Sequence, residues 1–322
     1  MLSRVAEHIY WLARYIERAE NTARLMNVNS HLLLDLPKRM RPGWAPIIDI
    51  LGAHELFFTL HDSADERQVL RFLISDTHNP GSILSVLRMA REDARTIRDI
   101  IPREAWEQVN NVYEQASHNS QSGLSPRRRY DYLHSIILGS QTLTGLLAGT
   151  MTHDEGYDFL RLGRNLERAD MTTRIIDVRS ATLLPDLAEA NPSPADSSQP
   201  FENIQWMSVL KSLTAYQMYR RAVQVRVRRP EVLRFLLQER HFPRAFHHTL
   251  CEAEICLQNL PHHERPHKAV RQLQNKVMRA RLESLSQDEL HEFIDRLQLG
   301  LARVHDAIAE TYFRTTRDPK PQ

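Results

Sequence analysis

Glycine is scarce in this sequence, with 10 residues in 322, well below the usual share of about 7%. Glycine-rich loops that cradle phosphates and tight hairpin turns both depend on this residue. The sequence contains no Walker loop, no dinucleotide-binding glycine motif and no Gly-x-Ser-x-Gly elbow. The usual signatures of ATP-driven, hydride-transfer and acyl-serine chemistry are therefore missing, and long helices become the default expectation.

Cysteine and long apolar runs are scarce as well. Cys251 and Cys256 are the two cysteines of the chain, and this low usage argues for a reducing compartment. No stretch approaches the roughly 18 apolar residues of a membrane span. The N-terminus reaches Glu7 without the apolar segment of a signal peptide. We therefore expect a cytoplasmic protein that has no membrane association.

An excess of one charge is also lacking. The chain carries 42 Lys and Arg against 40 Asp and Glu, and these charges are spread along its length. A dedicated nucleic-acid binder would show a basic patch or tail, so we expect no nucleic-acid partner. Hydrophobic residues make up 42% of the sequence, which is enough to close a core.

Apolar residues recur at helical spacing along most of the chain. Val5, Ile9, Leu12 and Ile16 step by three or four positions and draw one stripe down a helix over the first 35 residues. We find no window with the alternation of a strand. The sequence predicts an all-α fold of about twelve helices, the later ones at about 43–62, 66–75, 80–100, 103–118, 126–150, 153–186, 203–221, 229–240, 243–259, 262–281 and 286–315.

Two stretches of the chain repeat earlier ones in the same order. Residues 14–28 match residues 164–178 at seven of fifteen positions, and residues 69–80 match residues 232–243 at seven of twelve. Average composition predicts roughly one identity in each block. Shorter matches between these blocks and near the end of each half keep the same order. The sequence therefore predicts a tandem duplication.

The two copies are placed at residues 1–150 and 151–322. The second copy has extra residues, which we assign to a polar surface loop at about 187–201. Each copy begins with a long amphipathic helix that cannot bury its apolar stripe alone. We therefore expect two helical-bundle halves that pack around a pseudo-two-fold axis and form one compact unit.

The first repeated block carries the pattern Arg-x-x-Glu-Arg-Ala-(Glu/Asp)-x-Thr-x-Arg. At about 100° per residue, Glu17, Glu20 and Arg24 share one sector of the helix beside the apolar stripe. A small residue, Ala13, lies in the same sector and would let another helix come close. We therefore expect these charges at a contact between helices. The matching sector of the second copy contains Glu167, Asp170, Arg174 and Gly163.

Two interpretations of these charges stay open. In the favoured one, Arg and Glu pair across helices and fix their register, because a charge near a core must be paired to be tolerated. In the other, acidic pairs from both copies form a pocket for a metal or a cationic group, while arginines hold a phosphate or carboxylate. The candidate ligand-binding residues of these blocks are Arg14, Arg18, Asn21, Arg24, Arg164 and Arg174.

The second repeated element consists of an acid, a His and a Pro at a helix end. Copy one has Asp76, His78 and Pro80 with Asn79 between them, and copy two has Glu239, His241 and Pro243. The favoured interpretation is a cap and turn, in which the acid accepts from backbone amides. The alternative is an acid and His pair that faces a cleft and does general acid-base work. Asn79, Glu239 and His241 are further candidates for substrate binding.

A di-metal carboxylate site would need Glu-x-x-His on two helices, and this pattern is absent where the repeats require it. The nearest pattern is Asp131-x-x-His134, which is repeated as Asp288-x-x-His291. Packed histidines are the more common explanation of such pairs. We therefore assign no metal and no other cofactor.

The opening residues also resemble a known family. Met1 to Glu7, followed by Tyr10, Trp11 and Glu17 to Arg24, are similar to the start of the Alpha-E domain family. The segments 76–82, 235–243 and 290–313 resemble it too, so the similarity covers nearly the whole chain. The family pattern of Glu17, Glu20, Asn21 and Arg24 is intact, although Gly81 stands where a Ser is common.

This resemblance implies a bacterial, all-helical domain of unknown function. Members are typically encoded beside circularly permuted ATP-grasp ligases and transglutaminase-like peptidases. The resemblance therefore implies a helical partner or accessory subunit of an ATP-grasp-type amide or peptide ligase in bacterial peptide synthesis or modification. A transglutaminase-like protein is the second partner that it implies. The oligomeric state stays open.

Two alternatives to a partner subunit remain. The first is an enzyme that acts on a peptide or acyl-phosphate intermediate, and the second is a purely structural scaffold. The absence of a nucleophile motif favours the partner subunit over the enzyme. The candidate catalytic residues are Glu17, Glu20, Asp76, His78, Glu167 and Asp170.

Overall fold

The computed structural model describes residues 1–37, 41, 43–181, 199–223 and 226–314. Within these ranges the regular structure is helical, with fifteen α-helices and no strand. The predicted all-α fold is confirmed. The loop predicted at about 187–201 lies outside the described residues, except that residues 199–201 belong to a helix. None of the helices in these ranges is both long and apolar enough to cross a lipid bilayer.

The helices follow one another in this order: α1 (Ser3–Asp35), α2 (Ala45–Ile50), α3 (His54–Leu60), α4 (Glu66–Ile74), α5 (Ile83–Thr96), α6 (Arg103–His118), α7 (Ser120–Leu124), α8 (Arg129–Thr150), α9 (Glu155–Ala181), α10 (Gln199–Ser212), α11 (Tyr216–Val223), α12 (Arg229–Gln238), α13 (Phe246–Gln258), α14 (Glu264–Met278) and α15 (Gln287–Ile308). A 3₁₀ turn at Leu282–Ser284 precedes α15, and a π-helical turn at Ala309–Phe313 follows it.

The count of about twelve helices was too low, because two predicted helices are broken. Gly52 has φ of 66° and separates α2 from α3, and Thr214 has φ of 55° and separates α10 from α11. A residue in the left-handed region ends a helix because the next residues cannot continue its hydrogen bonding. The predicted helices at 43–62 and 203–221 are therefore two helices each. The short α7 lies in a segment for which no helix was predicted.

Helix starts follow the capping chemistry of the sequence. The side chain of Asp65 accepts from Gln68 N at the start of α4, and Ser82 does the same for Ser85 N at the start of α5. Ser286 and Glu289 form a capping box at the start of α15, which confirms a pattern visible in the sequence. These caps therefore fix the residues at which α5 and α15 begin.

α1 is the central helix and packs along α5, α8, α9 and α10. Its apolar stripe is buried, with Ile9, Leu12 and Ile16 all at 5% exposure or less. Against α9 the two backbones come very close, because a Cβ added to Gly163 would lie 2.3 Å from the carbonyl oxygen of Tyr10. Buried apolar side chains from before and after residue 150 join one continuous cluster around this pair of helices.

Candidate functional site

α1 and α9 exchange two matching ion pairs where they cross. Nε of Arg168 lies 3.0 Å from Oε2 of Glu17. In the reverse direction, Nε of Arg18 donates to Oε1 of Glu167 at 2.6 Å and Nη2 donates to Oε2 at 3.0 Å. Glu17 is 2% exposed and Glu167 is 1% exposed. Each helix therefore supplies one Glu-Arg pair, and each Glu is neutralised by the Arg of the other helix.

Arg14 extends the network around Glu167. Its Nε donates to Oε2 of Glu167 at 2.8 Å, and its Nη1 donates to the Tyr10 hydroxyl at 3.2 Å. The Tyr10 hydroxyl in turn lies 2.9 Å from Nδ1 of His305 on α15. The guanidinium of Arg14 also stands over the Trp11 ring, with 5.1 Å from its carbon to the ring centroid. Tyr10 and His305 were not predicted as part of this network.

Glu17 and its neighbour Glu20 on α1 also hold Arg244, which sequence reasoning missed. Arg244 lies in the segment between α12 and α13, and its Nη1 donates to Oε1 of Glu17 at 2.7 Å and to Oδ1 of Asn21 at 2.8 Å. Its Nη2 donates to Oε1 of Glu20 at 2.8 Å. Arg24, one turn further along α1, donates to the same oxygen of Glu20 at 2.6 Å. The signal available in the sequence was the position of Arg244 directly after the repeated Pro243.

These contacts hold the central carboxylates in their charged form. Burial alone would raise the pKa of Glu17, but the charges of Arg168 and Arg244 outweigh it and lower that pKa to about 2. Burial is likewise outweighed at Glu167, where Arg18 and Arg14 lower the pKa to about 2. Both groups are therefore ionised at neutral pH, and they are poor proton donors or acceptors there.

Arg164, another predicted binding residue, lies beside the same network. Burial and the neighbouring charge of Arg168 both lower its pKa, although the carboxylate of Glu17 opposes them. In the described part of the chain its Nε has no hydrogen-bond partner. Arg164 thus lies near Glu17 as a buried cation that is held mainly by charge.

A pocket of about 170 Å³ opens beside Glu167 and joins the two repeated elements that the sequence singled out. From α9 it is bordered by Glu167 and Asp170, and Nε of Arg174 donates to Oδ2 of Asp170 at 2.8 Å. From the loop before α5 it is bordered by Asn79 and Gly81. The remaining residues that line it are Arg18, Leu51, Ala53, Leu73, Met171 and Arg174.

Asn79 holds the loop wall of this pocket in place. Its Nδ2 donates to the carbonyl of Phe72 at 3.0 Å, and its Oδ1 accepts from the Gly81 amide at 2.9 Å. Asn79 is 3% exposed, so both halves of its carboxamide are used inside the protein. The side chain therefore ties the end of α4 to the turn that leads into α5.

The sequence model of one protein family matches residues 1–313, and the family is described as a predicted alpha-helical domain with a conserved ER motif. The chain belongs to the Alpha-E family. The resemblance found from the sequence is thus confirmed over nearly the whole chain. Glu-Arg occurs at five places in this sequence, and two of them, Glu17 with Arg18 and Glu167 with Arg168, supply the four residues of the reciprocal pairs between α1 and α9.

Relatives of this Alpha-E chain occur in mycobacteria. An uncharacterized protein of Mycobacterium bovis and two of Mycobacterium tuberculosis are each 24% identical to it over 336 residues, which covers 96% of this chain and 36% of the relative. The chain therefore spans about a third of the length of the curated relatives it matches. No solved structure matches it at a significant level.

The acid and His pairs of the Alpha-E chain form turns. Oδ1 of Asp76 accepts from the His78 amide at 2.9 Å and also lies 3.0 Å from Nδ1 of the His78 ring. Glu239 accepts in the same way from the His241 amide at 3.0 Å. Both histidine side chains are exposed, at 75% and 93%. This geometry fits the cap-and-turn interpretation, and neither Asp76 nor His78 is among the residues that line the pocket.

The repeated Asp-x-x-His pairs differ from each other. Nδ1 of His291 lies 2.7 Å from Oδ1 of Asp177, which the sequence did not connect with it, and its Nε2 lies 3.7 Å from Asp295. His134 instead stacks on Tyr130, with 5.4 Å between the ring centroids. His291 and Asp295 are exposed, and exposed acidic groups of this kind are common without an ion. The group therefore gives no reason to assign a metal.

Proposed function

We propose that this Alpha-E protein is a helical accessory subunit of an ATP-grasp-type amide or peptide ligase in bacterial peptide synthesis or modification. Its pocket holds a small charged ligand, and the ligase forms the bond. The observation that carries this proposal is the pocket beside Glu167, whose charged walls are already fixed by the Arg18–Glu167 and Arg174–Asp170 pairs. Charges that are held in place before binding lose little entropy when a ligand arrives.

The state of the buried carboxylates supports binding over catalysis. Arginines hold the pKa of Glu17 and of Glu167 at about 2, whereas an efficient general acid or base needs a pKa near the working pH. Both oxygens of Glu167 already accept hydrogen bonds from Arg14 or Arg18. These residues are therefore suited to fixing a ligand and its surroundings.

The identity of the partner comes from the family. The family resemblance implies a gene that lies beside genes for ATP-grasp ligases and transglutaminase-like proteins. The mycobacterial relatives support a joint role, because about two thirds of each lies outside the matched segment and a domain of this kind is there joined to further polypeptide. Because ATP-grasp ligases consume ATP, the proposal requires a cytoplasmic protein.

The test is reconstitution with an ATP-grasp ligase encoded near the gene. Amide formation and ATP consumption are measured with the ligase alone and with the ligase plus this protein. We expect product to depend on the protein, and Asp170→Asn to lower the product rate while the variant still binds the ligase. Glu107→Gln, in an exposed pair with Arg103, is the matched control and keeps the parent rate. A ligase that forms product equally well alone contradicts the proposal, as a purely structural scaffold would predict.

The alternative is an enzyme that acts on a peptide or acyl-phosphate intermediate through the repeated Glu, Asp and His positions. Among these, the exposed His78 and its Asp76 partner lie outside the buried network of α1 and α9. Under our proposal His78→Ala leaves the product rate unchanged, because the turn is held by the Asp76 contact with the backbone amide of residue 78. Loss of product in this variant, with ligand and ligase binding intact, would instead support the catalytic alternative.

We also infer that the chain is a tandem duplication with copies at residues 1–150 and 151–322, related by a pseudo-two-fold axis between α1 and α9. The reciprocal Glu17–Arg168 and Glu167–Arg18 pairs support it. So do the left-handed residues Gly52 and Thr214, which break helices at matching places. An experimental structure tests this inference: a rotation of about 180° should superpose the backbone of the first copy on that of the second.

A further inference from the structure

We propose that the pocket beside Gly81 binds the guanidinium group of an arginine-like ligand, such as an arginine side chain or agmatine. This inference rests on the proposed function, since it names the chemical class of the ligand that the accessory subunit holds. It starts from a difference between the repeated blocks. Pro80 matches Pro243, so the next residue pairs Gly81 with Arg244.

The Arg244 side of this comparison is a guanidinium site that the chain fills itself. The Arg244 side chain is 9% exposed. It donates to the carboxylates of Glu17 and Glu20 and to the carboxamide oxygen of Asn21, at 2.7 to 2.8 Å. A buried guanidinium with two carboxylates and one neutral acceptor is a well-satisfied cation, because charge and hydrogen bonds are both matched.

The Gly81 side has the same frame without the guanidinium. The residues that match Arg244, Glu17, Glu20 and Asn21 are, in that order, Gly81, Glu167, Asp170 and Met171, and all four line the pocket. Gly81 offers no side chain to fill it. The pocket therefore lies among the counterparts of every residue that makes the Arg244 site. Glu167 already accepts from Arg14 and Arg18, whereas Arg174 takes Oδ2 of Asp170, so a guanidinium from outside would donate to Oδ1 of Asp170.

The size and walls of the pocket suit a guanidinium on an aliphatic stem. Its volume is about 170 Å³, and a cavity of about 150 Å³ already accepts a benzene-sized molecule. Asp170 is one methylene shorter than its counterpart Glu20, which leaves more room. Leu51, Leu73 and Met171 supply apolar wall for the methylene groups of the ligand.

The pocket is also open to solvent, unlike its filled counterpart. The side chains of Arg18 and Arg174, which border it, are 29% and 33% exposed, whereas that of Arg244 is 9% exposed. A ligand can therefore reach Asp170 without the separation of α1 from α9.

The arginines in the wall raise the question of an anionic ligand. Arg18 already makes two hydrogen bonds with Glu167, at 2.6 and 3.0 Å, and Arg174 makes one with Asp170 at 2.8 Å. An anion could bind the remaining N–H donors of these guanidiniums, but it would lie beside the carboxylates of Glu167 and Asp170. A guanidinium leaves both pairs in place and meets the carboxylate that matches Glu20 at the Arg244 site. The match with the Arg244 site therefore favours a guanidinium.

The experiment is isothermal titration calorimetry of the full chain with agmatine, with N-carbamoylputrescine and with inorganic phosphate. N-carbamoylputrescine keeps the shape of agmatine but has a neutral urea in place of the guanidinium. We expect agmatine to bind at least about tenfold more tightly than the urea analogue. Asp170→Asn should weaken agmatine binding by about tenfold or more, because it removes a charged contact, and a tenfold change in affinity corresponds to about 1.4 kcal/mol.

One variant of Gly81 tests the position. Gly81→Arg places a guanidinium where Arg244 lies in the other copy, and it should abolish agmatine binding while the melting temperature stays equal or rises. Glu107→Gln, in an exposed pair with Arg103 and outside the pocket lining, is the control and should keep agmatine binding.

The outcomes separate this inference from the proposed function. Agmatine that fails to bind, that binds no better than its urea analogue, or that binds Gly81→Arg normally overturns the guanidinium site. The guanidinium site is also overturned if phosphate binds and if Gly81→Arg or Asp170→Asn changes that binding. In each of these cases, a ligase that still needs the protein leaves the accessory role standing. A ligase that needs no added protein overturns the proposed function, whatever agmatine does.

Discussion

Oε2 of Glu17 on α1 lies 3.0 Å from Nε of Arg168 on α9, and the neighbouring residues repeat this contact in reverse through Glu167 and Arg18. Buried ion pairs contribute little net stability compared with apolar side chains of the same volume, but breaking one is costly because it strands a charge. The four residues therefore act as a register lock: any slip of α1 along α9 would leave buried charges without partners.

The first prediction concerns this lock. Glu17→Gln and Glu167→Gln should each lower the free energy of unfolding by about 3 to 5 kcal/mol, because each strands two arginines beside the core. The two losses should be similar, since the two sites match. Urea unfolding followed by circular dichroism measures both. Glu107→Gln on the surface should leave the midpoint unchanged, and central variants that behave like this control would contradict the account.

The second prediction concerns acid stability. The pKa values of Glu17 and Glu167 fall from the usual 4.5 to about 2 in the folded protein. A carboxylate with a lowered folded pKa stabilises the protein above its unfolded pKa, and this stability is lost as the pH falls toward the folded pKa. Each group should therefore contribute about 3 kcal/mol at neutral pH, which disappears between about pH 4.5 and pH 2.

Unfolding free energies measured over that pH range in the parent and in Glu17→Gln test this directly. The parent should lose stability steeply below about pH 4.5, and the variant should show a shallower slope because one of the two groups is gone. Identical slopes in the two proteins would show that Glu17 is not a charged partner of Arg168 and Arg244.

The third prediction concerns the approach of α1 and α9. Gly163→Ala places a Cβ 2.3 Å from the backbone carbonyl of Tyr10, so the helices must separate, and we expect a loss of about 1 to 3 kcal/mol or more. Gly145→Ala and Gly149→Ala in α8 meet nothing within 4 Å and should instead stabilise by about 0.5 to 1 kcal/mol. Thermal melts of the three variants measure these changes. A melting temperature of Gly163→Ala equal to that of the parent would refute the close contact.

The fourth prediction is chemical rescue of the filled guanidinium site. Arg244→Ala removes a partner that Glu17, Glu20 and Asn21 share and should lower the free energy of unfolding by about 3 to 5 kcal/mol. Methylguanidinium at low millimolar concentration should restore part of the melting temperature, because it can occupy the vacated place. N-methylurea, which is neutral, should not. If methylguanidinium changed the melting temperature of the variant no more than N-methylurea does, and no more than it changes that of the parent, the variant would have no open guanidinium site.

The helices and the charged sector could be predicted because both follow the 3.6-residue period of a single helix. Glu17, Glu20 and Arg24 share one face of α1 whatever surrounds them. Arg244 could not be predicted in this way, since its contact with Glu17 spans 227 positions and it lies in a loop segment with no periodicity. Only the repeat alignment, which sets it against Gly81, marks it in the sequence.

The helix breaks show the same limit. Gly52 interrupts an apolar pattern and gave a usable signal, because glycine readily takes a positive φ. Thr214 takes a φ of 55°, which is rare for a β-branched residue, so the local sequence does not predict this break. The pocket depends on how the loop around Asn79 packs against α9, which is a tertiary relationship that periodicity does not encode.

The central claim is that the pocket beside Gly81 holds a ligand for a partner ligase. It is tested most directly by amide formation in the reconstituted ligase system with Glu107→Gln and Gly81→Arg compared side by side. We predict that both variants bind the ligase equally, that Glu107→Gln supports amide formation at the parent rate, and that Gly81→Arg lowers it by about tenfold or more. Amide formation at the parent rate with Gly81→Arg would contradict the account.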